Sequence, residues 1–218
     1  MKIVVTGSTK GIGRAVVEYF LALGHEVHGI DILPSDLENE NYTHYVADVT
    51  NQLLLPHIDN VEILVNNAGT YNTDEDIDTN LNGTILCTQS YGLQPKIKSI
   101  VNLASACAHT GSEFGKYCAS KGGVISYSKW TARQIAKYGA TCNSISFGGV
   151  LTDQNAPVIQ NKDLWNKVME VTPLKQWTSP DECAEWIYFL AVINKSCTAQ
   201  DIIVDNGESC NQRFVWTN

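Results

Sequence analysis

The sequence lacks the features that mark several common classes of protein. No stretch approaches the roughly 20 consecutive apolar residues needed to span a bilayer, which argues against a membrane protein. The formal net charge is -8 and there is no run of lysine or arginine, so the chain has no obvious surface for nucleic-acid phosphates or anionic lipids. We therefore expect its partners to be small molecules or other protein subunits.

Paired cysteines are also missing. The seven cysteines are scattered singly, without the C-x-x-C spacing of zinc sites or of thiol exchange. An odd number of single thiols suits a reducing cytosol, where free cysteines are mostly buried packing residues. The sequence predicts a cytoplasmic protein without a metal site and without an export signal.

The chain is predicted to form a single domain over residues 1–218, because 218 residues with 44% hydrophobic content can bury one sizeable core. Short β-branched runs alternate with longer helical patterns, which is typical of a parallel sheet covered on both faces by crossover helices. The candidate strands are 2–6, 26–31, 43–47, 62–65, 99–103, 141–146 and 201–204. The candidate helices are 12–23, 76–91, 115–138 and 180–192. The fold class is therefore α/β, doubly wound, with about seven parallel strands.

A glycine-rich turn, TGSTKGIG at residues 6–13, joins the first predicted strand to the first predicted helix. Glycine permits left-handed backbone and close approach, and the helix start offers free N–H groups to a pyrophosphate. The spacing is G-x-x-x-G-x-G and not the general dinucleotide fingerprint G-x-G-x-x-G, so an ordinary glycine turn remains the alternative. The residues predicted to bind the cofactor here are Gly7, Thr9, Lys10, Gly11, Ile12 and Gly13.

Asp31 ends the second predicted strand, 18 residues beyond Gly13. This is close to the distance of about 20 residues expected for a carboxylate that hydrogen-bonds the adenosine ribose. Such a carboxylate repels a 2′-phosphate, whereas Lys10 beside the turn could attract one. Because no lysine or arginine follows Asp31 directly, we expect NAD as the cofactor in preference to NADP. A solvated strand-end residue is the alternative for Asp31.

Three further features resemble the short-chain dehydrogenase/reductase family in its single-domain form. They are the segment NNAG at 66–69, Ser105 after the fifth predicted strand, and the Y-x-x-x-K pair Tyr117 and Lys121. With the glycine turn they follow the family's order, and the resemblance covers essentially the whole chain. It implies a three-layer Rossmann fold and a homodimer or homotetramer built through the helices at about 76–91 and 115–138.

The resemblance also implies further cofactor contacts beyond the glycine turn. They lie after the third, fourth and sixth predicted strands, and Tyr117 and Lys121 join them at the nicotinamide. In the last of these loops, Phe147 replaces the family's usual proline. The implied contacts are Asp48, Val49, Asn67, Ala68, Gly69, Gly148, Val150 and Thr152.

Tyr117, Lys121, Ser105 and Asn80 form the predicted catalytic set. The i, i+4 spacing places Tyr117 and Lys121 on one face of a helix. A phenol has a pKa of about 10, so it is a poor base at neutral pH unless positive charge stabilises the phenolate. By resemblance, Lys121 supplies this charge and holds the nicotinamide ribose, Ser105 orients the substrate oxygen, and Asn80 supports a water-linked proton path. The expected activity is alcohol–carbonyl interconversion by hydride transfer.

The sequence also admits alternative functions, and two of its segments depart in length from the family pattern. A catalytically inactive nicotinamide-dinucleotide-binding sensor or structural subunit would keep the same fold, although the intact serine, tyrosine and lysine argue against it. An epimerase or dehydratase of the extended branch would need a larger substrate domain. The segments 31–48 and 69–80 are shorter than is usual in the family. The substrate-side segment at about 150–175 is expected to close over the substrate.

Overall fold

A single sheet of seven parallel strands forms the centre of the protein. The structure, a computed structural model, describes residues 1–112 and 114–210; residue 113 and residues 211–218 of the predicted domain lie outside the described part. The strand order is β3-β2-β1-β4-β5-β6-β7, which confirms the doubly wound α/β Rossmann fold. The strands are β1 (Lys2–Thr6), β2 (Glu26–Asp31), β3 (Tyr42–Val46), β4 (Ile63–Asn66), β5 (Ser99–Leu103), β6 (Thr141–Phe147) and β7 (Asp201–Val204).

The bounds of β1, β2, β5 and β7 are as predicted, whereas β3, β4 and β6 differ by one residue at their ends. Pairing with neighbouring strands explains the differences. Tyr42 pairs with Val27 at the start of β3, Asn66 pairs with Asn102 at the end of β4, and Phe147 pairs with Val204. Strand ends are thus set by the partner's register, which a local pattern does not report.

All four predicted helices are present. They are α1 (Gly11–Ala22), α2 (Gly83–Cys87) with π-helical turns on both sides, α4 (Gly115–Ile135) and α7 (Pro180–Tyr188). The prediction of one continuous α-helix over 76–91 was wrong at both ends of this segment, because Ile77–Asn82 and Thr88–Gly92 are π-helical. Three further α-helices were not predicted: α3 (Cys107–Thr110), α5 (Ala156–Ile159) and α6 (Lys162–Val171).

A signal for α6 was present in the sequence. The side-chain oxygen of Asn161 accepts a hydrogen bond from the Leu164 N–H at 3.1 Å, which is an N-cap. This helix lies in the predicted substrate-side segment, so that segment is structured on both sides of Asn161.

The sheet is buried on both faces. On one face, Phe20 of α1 and Ile187 of α7 pack in one cluster with Val5. On the other, Ile135 of α4 packs in a second cluster with Val4. Successive residues of a strand point to opposite faces, so β1 contributes to both layers. Burying each large aliphatic side chain stabilises the fold by about 1.5–3 kcal/mol.

The short segment between β2 and β3 contains no helix in residues 32–41, as its length predicts. It is tied to the rest of the protein by side chains. His44 Nε2 lies 2.8 Å from the Leu33 carbonyl oxygen, and the Arg14 guanidinium pairs with Asp36. Within residues 1–112 and 114–210, every helix is too short or too polar to cross a bilayer.

Candidate active site

The glycine turn has the backbone that its sequence requires. Gly7 has φ +65° and Gly11 has φ +52°, values in the left-handed region that favours glycine. Lys10 precedes α1 without capping it through its side chain, and the first turn carries no acidic residue. The N–H groups and the positive dipole end of α1 therefore fit the pyrophosphate of a dinucleotide.

Asn67 connects the NNAG segment to this turn. Its Nδ2 donates to the carbonyl oxygens of Thr6 at 3.0 Å and Gly7 at 2.8 Å. The backbone N–H groups of Asn67 and Ala68 both donate to Thr6 Oγ1 at 3.0 Å. Two segments that are some sixty residues apart in sequence thus form one rigid wall at the carboxyl edge of β1 and β4.

Gly13 lies where this wall meets α1. A Cβ at position 13 would lie 1.9 Å from the Gly7 carbonyl oxygen and 2.4 Å from Asn67 Nδ2. We predict that Gly13→Ala lowers the free energy of unfolding by about 1–3 kcal/mol and weakens dinucleotide binding at least about tenfold by displacing the turn. Urea unfolding and fluorescence titration with NADH measure the two effects.

Gly122→Ala is the matched control, because a Cβ at position 122 meets nothing within 4 Å. In a helix interior this exchange is expected to be neutral or to stabilise by roughly 0.5–1 kcal/mol. Equal behaviour of the two variants would contradict the packing role of Gly13.

Asp31 is held against the glycine turn. Its Oδ2 accepts from the Thr9 N–H at 3.0 Å and from Thr9 Oγ1 at 2.7 Å, and its Oδ1 accepts from the Leu33 N–H at 3.0 Å. These bonds fix the carboxylate at the end of β2, beside the turn. Lys10 is exposed at the same edge.

The predicted contacts after β3 have local roles. Asp48 is exposed, and its Oδ1 accepts from the Thr50 N–H at 2.9 Å and from Thr50 Oγ1 at 2.8 Å. Val49 is buried, and its Cγ2 lies 2.7 Å from where a Cβ of Gly83 would be. Val49 therefore packs against the start of α2, whereas Asp48 stabilises its own turn.

The loop after β6 returns to the glycine turn at Thr152. A Cβ on Gly11 would lie 3.3 Å from Thr152 Cγ2. Val150 is buried and forms a parallel bridge with Thr178. Gly148 of the same loop packs against the turn after β7, since a Cβ at position 148 would be 2.6 Å from Glu208 Oε2. Phe147, in place of proline, extends β6 by pairing with Val204.

Tyr117 and Lys121 lie together at the carboxyl end of β5. Lys121 Nζ is 5.7 Å from the centroid of the Tyr117 ring and donates to the Leu103 carbonyl oxygen at 2.9 Å. Ser105, two residues beyond Leu103, is buried, and its Oγ accepts from the Cys107 N–H at 3.3 Å. Burial lowers the pKa of Lys121 to about 8, while its electrostatic interactions with Cys107 and Asp76 act to raise it.

Asn80 reaches this site from the first π-helical turn before α2. Its Oδ1 accepts from the Thr70 N–H at 2.7 Å, and its Nδ2 donates to the Thr70 carbonyl oxygen at 3.1 Å and to Ser120 Oγ at 3.0 Å. A Cβ on Gly69 would lie 2.7 Å from Asn80 Oδ1 and 3.6 Å from Lys121 Nζ. Both the Asn80 side chain and the Lys121 ammonium therefore pack against Gly69.

Sequence reasoning missed two groups near the site. The Tyr71 ring meets the Tyr117 ring edge-on, with centroids 5.0 Å apart. Glu208 Oε1 accepts from Trp177 Nε1 at 2.8 Å, which ties the substrate-side segment to the turn after β7. Neither residue lies in a motif, and their partners are remote in sequence. His109 of α3 has Nε2 at 2.7 Å from Asp201 Oδ2 of β7.

The sheet order, the glycine turn before α1 and the Tyr117–Lys121 pair at the carboxyl edge define a dinucleotide-binding α/β oxidoreductase fold. Residues 7–209 match a family model described as enoyl-(acyl carrier protein) reductase. The chain belongs to the short-chain dehydrogenase/reductase family of oxidoreductases.

Curated and solved relatives span the same length. The chain is 29% identical over 245 residues to the 3-oxoacyl-(acyl-carrier-protein) reductase FabG of Aquifex aeolicus, which covers 93% of this chain and 94% of that protein. A 4-hydroxyisoleucine dehydrogenase mutant complexed with NADH and succinate is 24% identical with a TM-score of 0.89, covering 98% of this chain and 100% of the other. A putative 2-deoxy-D-gluconate 3-dehydrogenase from Agrobacterium tumefaciens with bound NADP is 24% identical with a TM-score of 0.85, covering 96% of each chain.

Proposed function

We propose that this protein is an NAD(P)(H)-dependent oxidoreductase that interconverts an alcohol with a ketone or aldehyde. The observation that carries the proposal is the Tyr117–Lys121 pair, whose lysine binds the Leu103 carbonyl two residues before Ser105, at the edge of the sheet that also carries the glycine turn. Membership of a family of oxidoreductases supports it. Fold alone would not be sufficient, because a fold can be kept without the activity.

The protein's own residues supply proton transfer and orientation. The nicotinamide, when bound, exchanges the hydride with the substrate carbon. In alcohol oxidation, Tyr117 accepts the hydroxyl proton as the hydride leaves, and in carbonyl reduction it returns a proton to the forming alkoxide. Ser105 orients the substrate oxygen by a hydrogen bond. Asn80 supports the water-linked path that renews the proton on Tyr117.

Lys121 stabilises the phenolate and binds the nicotinamide ribose. Its pKa of about 8 leaves the ammonium charged at neutral pH. Because the group is buried, its charge acts through a medium of lower polarity than water and affects Tyr117 more strongly. The hydrogen bond to the Leu103 carbonyl fixes the ammonium below the tyrosine ring.

The glycine turn and its surroundings fit a dinucleotide, with α1 directed at the pyrophosphate. We propose NAD as the preferred cofactor, because the Thr9-held carboxylate of Asp31 suits ribose hydroxyls and repels a 2′-phosphate. The relatives do not decide between the two, since some carry NADH and others NADP. The further proposed contacts are Asp48, Val49, Asn67, Ala68, Gly69, Gly148, Val150 and Thr152.

The remaining parts of the proposal concern the substrate, the assembly and the compartment. We propose a small alcohol or carbonyl substrate that enters beside the segment at about 150–175, where Trp165 and Trp177 pack against each other with centroids 5.1 Å apart. A homodimer or homotetramer is proposed through the helical segments at about 76–91 and 115–138, in line with the closed symmetry of most oligomers. Seven free cysteines support a cytoplasmic location.

The decisive experiment measures NADH and NADPH oxidation against a panel of carbonyl compounds, with wild type and Asp31→Ala. We expect turnover with at least one carbonyl class and a preference for NADH. The variant should lose at least about tenfold of that preference, because a charged hydrogen bond contributes roughly 1.5–3 kcal/mol. Asp59→Ala, which removes an exposed carboxylate paired with His57, is the control and should leave the preference unchanged.

Two outcomes would contradict the proposal. A wild-type preference for NADPH would overturn the assignment of the cofactor. Binding of NADH without turnover across the panel would favour the sensor or structural subunit instead.

A further inference from the structure

Asp76 is a carboxylate that the proposed chemistry does not use. Its exposed fraction is 0%, and it lies four residues before Asn80 along the chain. Aspartate is almost never fully buried unless its charge is compensated, because desolvating a carboxylate is costly. Its burial one helical turn from a proposed catalytic residue therefore requires a physical explanation.

One oxygen of Asp76 closes the short loop between β4 and α2. Oδ1 accepts from Thr70 Oγ1 at 2.8 Å, from the Thr73 N–H at 3.2 Å and from Thr73 Oγ1 at 3.0 Å. Asn80 binds the main chain of the same Thr70. Two side chains one turn apart thus fix the loop that carries Gly69 and Tyr71 to the edge of Tyr117.

The other oxygen of Asp76 has a different environment. Oδ2 is buried and has no hydrogen-bond partner among residues 1–112 and 114–210. The positive charges that act on Asp76 come from α4: Lys116, which is exposed and pairs with Asp74, and Lys121, which is buried. Gly69 lies next to Lys121, since a Cβ at position 69 would be 3.6 Å from Lys121 Nζ, and the following residue, Thr70, binds the Asp76 carboxylate. The buried carboxylate and the buried ammonium therefore contact neighbouring residues of one loop.

Within the described part of the chain, three titratable groups act on Lys121 from the elements packed around it. Tyr117 lies on the same helix, Cys107 on α3, and Asp76 before α2. Burial lowers the pKa of Lys121, and its electrostatic interactions with Cys107 and Asp76 oppose this shift. Loss of the Asp76 charge would therefore make the ammonium easier to deprotonate.

We propose that Asp76 is a positioning residue for Lys121, whose carboxylate both fixes the Gly69–Asn80 loop and supplies the counter-charge that keeps the buried ammonium in place. This proposal rests on the function proposed above and deepens it. It gives the shortened Gly69–Asn80 loop a specific role, because this loop carries the carboxylate that acts on Lys121. Asp76 touches neither the substrate nor the cofactor in this account.

Asp76→Asn tests the charge, since the amide keeps an oxygen that can accept the loop's hydrogen bonds. We expect the alkaline limb of carbonyl reduction to move to lower pH. The loss of kcat should be at least about threefold greater at about pH 8.5 than at about pH 6.5, with KM changed less than about twofold, because the lost charge is an opposite charge near Lys121. Asp74→Asn, which neutralises an exposed neighbour, should leave the profile unchanged.

Thr73→Val distinguishes the effect of the loop's hydrogen bonds from the effect of the Asp76 charge. It removes the Oγ1 bond to Asp76 but keeps the carboxylate, so we expect KM to rise while the alkaline limb stays in place. A shift of the limb in Thr73→Val equal to that in Asp76→Asn would overturn the counter-charge role.

Thermal unfolding supplies a readout that does not depend on turnover. In the otherwise wild-type protein, Asp76→Asn is expected to lower Tm by about 4 °C or more. In the Lys121→Met background the same exchange should lower Tm by less than half as much, because the ammonium that interacts with the Asp76 carboxylate is absent. If Asp76→Asn alone fails to fold, the double variant should still fold. Equal losses in both backgrounds, or failure of both to fold, would overturn the proposal. Absence of turnover in the wild-type protein would instead refute the proposed function. The Tm values of the single and double variants would still test the role of Asp76.

Discussion

Replacing Tyr117 by phenylalanine is expected to lower kcat for carbonyl reduction by about 10³-fold or more, because it removes the group that gives the proton to the forming alkoxide. The ring and its edge-on contact with Tyr71 are kept, so we expect folding and NADH binding to change little. Steady-state kinetics with the best substrate of the carbonyl panel, together with NADH fluorescence titration, measure both quantities.

Tyr138→Phe is the matched control for this exchange. Tyr138 lies in the 3₁₀ turn Ala136–Tyr138 that follows α4, at the opposite end from Tyr117. The same loss of one hydroxyl should leave kcat within about twofold, as for most substitutions away from a site. If Tyr117→Phe retained a tenth or more of the wild-type kcat, another residue would have to transfer the proton.

Replacing Lys121 by methionine is expected to lower kcat by about 10²–10³-fold, because a buried positive charge that stabilises the phenolate is lost. NADH affinity should fall as well, since the same ammonium is proposed to hold the ribose. The pH profile gives an independent check. In wild type, carbonyl reduction should decline as the pH rises through about 8, where Lys121 loses its proton, and this decline should be absent from the variant's residual activity.

Lys129→Met is the control, because Lys129 is an exposed lysine on the same helix. Its kinetics and pH profile are expected to match those of wild type. A Lys121→Met variant with normal kcat but weakened NADH binding would assign Lys121 to cofactor binding alone. A wild-type profile that is flat across this range would show that the Lys121 charge is not needed for turnover.

Much of the fold follows from patterns that are local in the sequence. The β-branched runs are strands because parallel strands buried on both faces admit few polar residues. The glycine turn and the i, i+4 pair of Tyr117 and Lys121 are equally local, since each depends on residues within about two helical turns. These parts of the fold and of the site could be predicted from the sequence alone.

The contacts that complete the site are not local. The Asn67 amide binds the glycine turn, Asn80 and Lys121 both pack against Gly69, and Glu208 binds Trp177. No spacing rule reports such pairs, because they depend on how the strands are ordered in the sheet and where the loops end. Asp76 is the clearest case, since an aspartate at the start of a predicted helix becomes a fully buried side chain in the structure.

The sequence by itself determined the strand–helix alternation, the phosphate-binding turn and the pairing of a phenol with an ammonium one helical turn away. Short-range periodicity encodes these features because neighbouring residues in a helix or strand share a face. The tertiary structure alone decided which charges surround Lys121, how the short loop reaches Tyr117 and how α2 is wound. Those depend on burial and on long-range packing, which alter the energy of a charge without leaving a local pattern.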